Sequence, residues 1–405
     1  MNYSEKQSGV GKRPINILVI NPFDEPISGN DEVLVRVMEK MDPDIFSFVV
    51  VMPGDNPYAR RYRKLGAEVV FLRMSILKRN LSFSFLASYF YQFIPTVYRF
   101  VKLCGKYEID IVHTNTTQIL GGGLAAKIMR LPSLYHAHSI IVDPWWVVRA
   151  MATWFRFTGD AMFANSSASA SSFIEKGYPV QKVKVVGNPV SMPSCVEKHG
   201  ASEFRREYGL SDDTSIVGIV GRINREKKIG LFLKAAEIVS KRHPKAVFVI
   251  VGGANNDEEK VYMGKMQRLA ESLGIQKKVI FTGYRDDVQN IVGNFNVLAH
   301  AHTNEAFGLV IAEAMVAEVP VVAPDAGGIP ELVEHERTGY LVPPDSYDEL
   351  ANRIMNLLDD KEKAERMGKA GREKAMKLFS AGNIADSIAQ VYLQIAENRF
   401  AFKGK

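Results

Sequence analysis

The chain has 405 residues, longer than one compact core usually organises, so roughly two to three domains are expected. It is 46% hydrophobic and 24% charged with a net charge of +6, an ordinary globular composition. Having only Cys104 and Cys195 excludes a disulfide framework and points to a reducing compartment. The apolar run at 15–20 is too short for a secretion signal and ends in Asn21-Pro22. No stretch is long and apolar enough to span a bilayer, since 83–98 is interrupted by Gln92 and Pro95. A cytosolic protein, peripheral to the membrane at most, is expected.

Short Val/Ile-rich runs alternate with helix-length segments from end to end. Strands are predicted at 15–20, 47–52, 68–72, 109–114, 133–138, 160–164 and 183–187, with helices near 30–41, 58–66, 83–106, 121–130, 145–157 and 167–176. The scheme repeats after a helix at 202–208. Strands fall at 215–221, 246–252, 278–282, 296–300, 319–323 and 339–342, and helices near 229–242, 257–273, 286–294, 308–317, 329–335 and 346–358. The tail from 361 to 398 reads as two helices with no strand after them.

Continuous apolar strands separated by helices imply parallel sheets covered on both faces. So many strands divide into two doubly wound α/β domains rather than one open sheet. The Pro/Gly/Ser-rich stretch that begins at Gly187 marks the boundary. The expected organisation is an N-terminal domain at 1–187, a linker at 188–201, a second domain at 202–378 and a C-terminal helix at 379–405 crossing back to the first domain. In such sheets ligands bind at the carboxyl ends of strands, so two facing domains place the site in a central cleft and direct attention to the residue after each strand.

Those residues suit an anionic ligand. After 215–221 come Arg222 and Lys227, a planar fork and a point charge able to grip a diphosphate without metal. Gly253 follows 246–252 and lets backbone approach a ligand closely. Tyr284 and Arg285 follow 278–282, where a nucleotide base could lie. After 296–300 comes Glu305-Ala-Phe-Gly-Leu-Val-Ile-Ala-Glu313, a polar turn, a glycine and a helix whose first amides point at whatever precedes them. That arrangement binds phosphate, and a carboxylate beside it would hold sugar hydroxyls. Eight residues of helix separate two carboxylates by ~12 Å, too far to flank one glycosidic bond as hydrolases require. Asp42-Pro-Asp44 reads as turn chemistry, so no bound metal is expected.

The order Gly221-Arg222…Lys227, Thr282-Gly283, Glu305…Glu313, Pro320-Val-Val-Ala and Gly327-Gly-Ile-Pro-Glu331 resembles the donor half of glycosyltransferase family 4. The resemblance covers roughly 180–375. Over 1–180 it is looser and rests on the first strand and turn, His113-Thr-Asn115, Tyr135-His-Ala-His138 and Ala164-Asn165-Ser166. It implies a retaining enzyme of GT-B architecture that uses a nucleotide sugar and no other cofactor. By the same resemblance Arg222 and Lys227 hold the diphosphate, Glu305 meets the donor sugar, and Phe307, Gly308 and Leu309 present backbone to sugar and phosphate. Glu313 takes the ribose hydroxyls, and His138, with His136 as rival, faces the sugar. Gly29 stands alone where family members often carry two glycines, and is counted with the donor-binding residues. The sequence departs again at Asn188-Pro-Val-Ser191, where an aspartate is familiar in the last position.

Residues 57–106 carry ten Lys and Arg against the single acidic Glu68, interleaved with aromatics from Phe83 to Phe100. Two readings stand: an anionic membrane surface, to which each basic residue contributes about 1 kcal/mol, or a helix whose aromatics fill a core. No nucleic-acid module accompanies the patch. The expected activity is transfer of a hexose or N-acetylhexosamine from a UDP- or GDP-sugar to a glycan or lipid-linked acceptor. The alternatives are a nucleotide-sugar epimerase, which would turn over donor alone, and a silent nucleotide-sugar-binding subunit, which would transfer nothing.

Overall fold

The computed structural model describes residues 13–22, 29–77, 82–190 and 203–403. Most of the expected linker, Cys195, Lys78 and Arg79 and the turn at 24–28 lie outside the described residues. The chain divides into two compact units, one formed by Met1–Pro189 with Ala381–Lys405 and the other by Val190–Ser380.

The first unit holds a seven-stranded parallel sheet in the order β3-β2-β1-β4-β5-β6-β7. Its strands are β1 (Ile15–Ile20), β2 (Phe46–Met52), β3 (Glu68–Phe71), β4 (Ile111–Thr114), β5 (Ser133–Ala137), β6 (Ala161–Ala164) and β7 (Val183–Val185). Between them run α1 (Gly29–Met38), α2 (Pro57–Lys64), α3 (Phe83–Lys106), α4 (Gly121–Ile128), α5 (Trp145–Thr158) and α6 (Ser167–Ile174). Local chemistry sets several helix starts. The Asn56 side chain accepts from the Tyr58 and Ala59 amides ahead of Pro57, and Ser166 caps α6 in the same manner. α3 continues through Pro95, next to which Thr96 Oγ1 donates to the Gln92 carbonyl at 2.7 Å.

The second unit holds a six-stranded parallel sheet in the order β10-β9-β8-β11-β12-β13. These are β8 (Ile216–Val220), β9 (Val247–Val251), β10 (Val279–Gly283), β11 (Val297–Ala299), β12 (Val321–Pro324) and β13 (Gly339–Val342). The helices are α7 (Glu203–Glu207), α8 (Ile229–Arg242), α9 (Asp257–Ser272), α10 (Val288–Val292), α11 (Leu309–Val316), α12 (Ile329–Leu332), α13 (Tyr347–Asp359) and α14 (Lys361–Phe379). Both sheets are doubly wound α/β. In each, the strand order reverses once, between β1 and β4 and between β8 and β11, and it is at such reversals that loops part to admit a ligand.

The last helix, α15 (Ala381–Lys403), belongs to the first unit. Its Ile384, Ile388 and Tyr392 are buried with Ile15, Ile17 and Val19 of β1, and Tyr392 packs its ring against Phe46. Among the described residues no helix is long and apolar enough to cross a membrane.

Within 57–106, α3 has a buried face and an exposed one. Tyr89, Val97, Phe100 and Cys104 are buried, while Phe90, Tyr91, Ile94 and Tyr98 are more than half exposed. Arg61 is drawn off the basic surface into an ion pair with Glu32.

Candidate active site

In the second unit the loops that leave β8, β9 and β10 are laced by backbone hydrogen bonds. Gly221 N donates to Val251 O, Ile223 N to Gly253 O and Gly252 N to Gly283 O, at 2.9–3.0 Å. Gly252 has φ near +150°, and a Cβ there would lie 2.0 Å from the Gly221 carbonyl oxygen, so only glycine allows this approach. The lacing fixes the β8 loop from which Arg222 and Lys227 project.

Across the reversal, the loop after β11 carries Glu305. Gly328 N donates to the Glu305 carbonyl at 2.8 Å, and a side chain at Gly327 would meet that same oxygen at 2.4 Å. Three loops therefore converge on one residue. Lys227 Nζ donates to Glu305 Oε2 at 2.8 Å, His302 Nδ1 lies 3.2 Å from that oxygen, and His300 Nε2 lies 3.4 Å from it. Next to Lys227, Lys228 donates to Thr303 Oγ1 at 2.8 Å and to Asp345 Oδ1.

Burial alone would raise the Glu305 carboxyl. The neighbouring His300 and His302 imidazoles and the Lys227 ammonium more than offset it and hold the group well below the usual carboxylate range. Burial lowers His300, so that ring stays neutral. Glu305 is thus a fixed anion that accepts hydrogen bonds and cannot act as a general acid. The His300, His302 and Glu305 donor atoms lie close enough to hold a metal ion, yet the Lys227 ammonium already occupies the shared carboxylate oxygen.

Gly308 (φ +90°) turns the chain, and α11 begins only at Leu309. The straight-helix separation of Glu305 and Glu313 therefore does not apply, because Glu305 lies in the loop and only Glu313 rides on the helix. The Phe307 ring is buried against Phe379, which leaves its backbone on the loop side. The first amides of α11 have no acceptor within the helix.

Sequence reasoning brought Lys227, Glu305 and Gly308 together as the structure does. Arg222 is exposed and, among the described residues, makes no ion pair. Gly253 packs beside Tyr284, which is 58% exposed. Arg285 gives both edges of its guanidinium to Glu207 and Asp287, each at 2.8 Å. Glu313 is half-buried on α11. Gly29 lies at the start of α1, in the first unit. His300 and His302 were not assigned roles from sequence, although their spacing of two residues around a strand end was a visible signal.

The first unit has its own polar cluster at the strand ends. Asn21, Asn115, His138 and Asn165 each directly follow β1, β4, β5 and β6, which are neighbours in the sheet. His138 Nε2 lies 2.9 Å from Asn115 Oδ1, and Asn165 Nδ2 donates to the His138 carbonyl. The His138 ring stacks at 3.8 Å on His136, which in turn stacks on His113 at 5.6 Å. Burial pushes His113 and His138 down to about 3 and His136 well below its ordinary value, so the column is neutral at ordinary pH. His136 is enclosed in the sheet, while His138 is half-buried.

Two nucleotide-type parallel sheets, with a cationic and glycine-rich strand-end site in the second, are the GT-B fold seen in glycosyltransferases. Residues 201–374 match the model for glycosyl transferases group 1, and residues 32–192 match that for glycosyltransferase family 4. The chain is thus similar to glycosyltransferase family 4 in both halves.

Among its relatives, an alpha-D-kanosaminyltransferase of Streptomyces kanamyceticus is 31% identical over 48% of this chain and 49% of its own length. An N-acetyl-alpha-D-glucosaminyl L-malate synthase of Bacillus anthracis is 27% identical over 49% of this chain and 50% of its own. The chain spans about half the length of these curated relatives. A crystal structure of HepE from Anabaena in complex with UDP-glucose aligns with a TM-score of 0.79 and 26% identity, covering 94% of this chain and 100% of that one.

Proposed function

We propose that the protein is a retaining, metal-independent glycosyltransferase that moves a hexose or N-acetylhexosamine from a UDP- or GDP-sugar to an acceptor hydroxyl. The observation that carries this reading is the Lys227–Glu305 pair, fixed by three converging loops beside the amides of α11. Such a site supplies what departure of a diphosphate requires. Lys227, Arg222 and the helix amides stabilise the negative charge that builds on the leaving phosphate, while Glu305 orients sugar hydroxyls. Glu313 takes the ribose, and Tyr284 and Gly253 line the place of the base. Glu305 Oε2 is already engaged by the Lys227 ammonium and is a poor base, so the departing phosphate oxygen takes the acceptor proton. The UDP-glucose complex of HepE supports a uridine nucleotide as donor.

The acceptor is lipid-linked, presented at an anionic membrane surface. The outer face of α3 supports this, with Phe90, Tyr91, Ile94 and Tyr98 exposed and Arg99 and Lys102 beyond them. Lys102 Nζ sits 4.9 Å above the Tyr98 ring.

The test is transfer from a panel of UDP- and GDP-sugars to lipid-linked and free glycan acceptors in chelator, with the product's anomeric configuration read by NMR. A retained configuration with full activity in chelator is expected. Inversion, or loss of transfer on chelation, refutes the mechanism. Liposome flotation of wild type and Tyr91→Ser/Ile94→Ser separates the acceptor question from the chemistry, and equal flotation of both would remove α3 as the contact.

A further inference from the structure

The strand-end cluster of the first unit is directional. His138 Nε2–H donates to Asn115 Oδ1 at 2.9 Å, Asn115 Nδ2 donates to Asn21 Oδ1 at 3.2 Å, and Asn21 Nδ2 donates to Asp31 Oδ1. Every donor in the series faces the same way and the series ends on a carboxylate. Asp31, Asn21 and Asn115 are at most 2% exposed, and the Tyr62 hydroxyl also donates to Asp31 Oδ1 at 2.8 Å. The series crosses the reversal between β1 and β4, the point at which a doubly wound sheet meets its ligand.

An asparagine can turn its amide either way, and the direction is decided by what lies at the ends. Asp31, carrying no donor when ionised, forces Asn21 to present Nδ2 to it. Asn21 must then present Oδ1 to Asn115, and Asn115 must present its own Oδ1 to His138. The imidazole has a single option left: its proton sits on Nε2 and its lone pair on Nδ1. Among the described residues that Nδ1 is buried and has no hydrogen-bond partner, so an acceptor is held ready beside the strand ends.

We propose that Asp31, through Asn21 and Asn115, is a positioning residue that fixes the His138 tautomer so that Nδ1 accepts a hydrogen bond from a hydroxyl of the sugar substrate. The inference rests on the proposed transferase function and on the place at the sugar that the family resemblance implies for His138. Its structural half stands apart from that role, because tautomer state is read without substrate. Hydrogen bonds of like direction polarise one another, which strengthens the terminal bond to His138. Asp31→Asn removes the charge and keeps the shape, so either amide orientation becomes acceptable along the series.

The experiment uses the full chain labelled with 15N-histidine, with His138 assigned by comparison with His138→Gln. Long-range proton–nitrogen correlation is expected to show one species in wild type, pyrrole-like at Nε2 and pyridine-like at Nδ1. Asp31→Asn is expected to admit the other tautomer and to lower kcat by about tenfold, the scale at which outer partners of a functional histidine act. The charge-swapped double variant Asp31→Asn/Asn115→Asp puts a carboxylate directly on Nε2–H, and it is expected to restore the wild-type tautomer and part of the rate. A wild-type His138 protonated on Nδ1 overturns the proposal without any variant. So does an unchanged tautomer in folded Asp31→Asn. Full transfer by His138→Ala would refute the substrate role alone and leave the tautomer result standing.

Discussion

Lys227 Nζ lies 2.8 Å from Glu305 Oε2, although 78 residues separate the two in the chain. The contact joins the loops on either side of the strand-order reversal in the second sheet. Under the proposed function the Lys227 ammonium turns from this carboxylate to the diphosphate of the donor.

Lys227 and Arg222 should therefore separate in stability while agreeing in rate. Each, changed to Ala, is expected to lower turnover by roughly 10²–10³-fold, as loss of one transition-state donor does. Lys227→Ala also leaves the Glu305 carboxylate without its ammonium in a partly buried setting, which should cost about 1–3 kcal/mol after allowance for exposure. Arg222 is exposed with no ion pair among the described residues, so Arg222→Ala should stay within about 0.5 kcal/mol of wild type. Initial rates and urea unfolding check both. Wild-type turnover in Lys227→Ala would remove it from the chemistry.

Gly327→Ala should damage the site without touching a charged group. The position has φ near +61°, and the added Cβ would lie 2.4 Å from the Glu305 carbonyl oxygen. Strain of this kind costs about 1–3 kcal/mol, and relief requires the Glu305 loop to move away from Lys227. The expected outcome in titration calorimetry is at least tenfold weaker binding of the nucleotide sugar. Unchanged affinity with a shortened distance elsewhere would show that the loop tolerates the shift.

Much of this was legible because periodicity and position carry it. Val/Ile runs located the strands, and ligand residues in doubly wound sheets follow strands, so Arg222, Lys227, Glu305 and His138 could be selected one by one. Glycine and the residues that follow it marked the start of α11. What sequence lacked was partnership across distance. His113 meets Tyr392, 279 residues on, and Arg285 meets Glu207 rather than remaining open. α3 shows another limit: its aromatics are both core and surface, and helical spacing alone assigns faces only once the neighbours are known.

The His113–Tyr392 contact should be measurable in stability. Tyr392 Oη lies 2.6 Å from His113 Nδ1 in a fully buried pocket, and His113 Nε2 has no partner among the described residues. Tyr392→Phe leaves the ring packed and removes the only hydrogen bond described for that imidazole. A loss of about 1–3 kcal/mol is expected for an orphaned buried polar group, seen as a lower urea midpoint with an unchanged slope. A neutral result would mean that His113 finds another partner.

The stacked column makes a prediction about acid. His113 and His138 are lowered to about 3 and His136 further, whereas an unfolded histidine titrates near 6.5. A histidine whose folded value is depressed stabilises the native state above the unfolded value. That stability is lost as pH falls from about 6.5 toward about 3, because the unfolded chain binds the proton first. Each ring then contributes up to about 1.4 kcal/mol per pH unit. Glu305, also depressed, follows the same sign but begins to matter only below about 4.3, its unfolded value. The decline between pH 6.5 and 4.5 therefore belongs to the histidines. His136 has neither ring nitrogen hydrogen-bonded among the described residues, so His136→Leu should cost little at pH 7.5, within about 1 kcal/mol. It should also flatten the acid slope by close to one proton. Urea unfolding of both proteins at pH 7.5, 6, 5 and 4.5 measures this directly, and parallel declines in the two would show that His136 is already protonated in the native state.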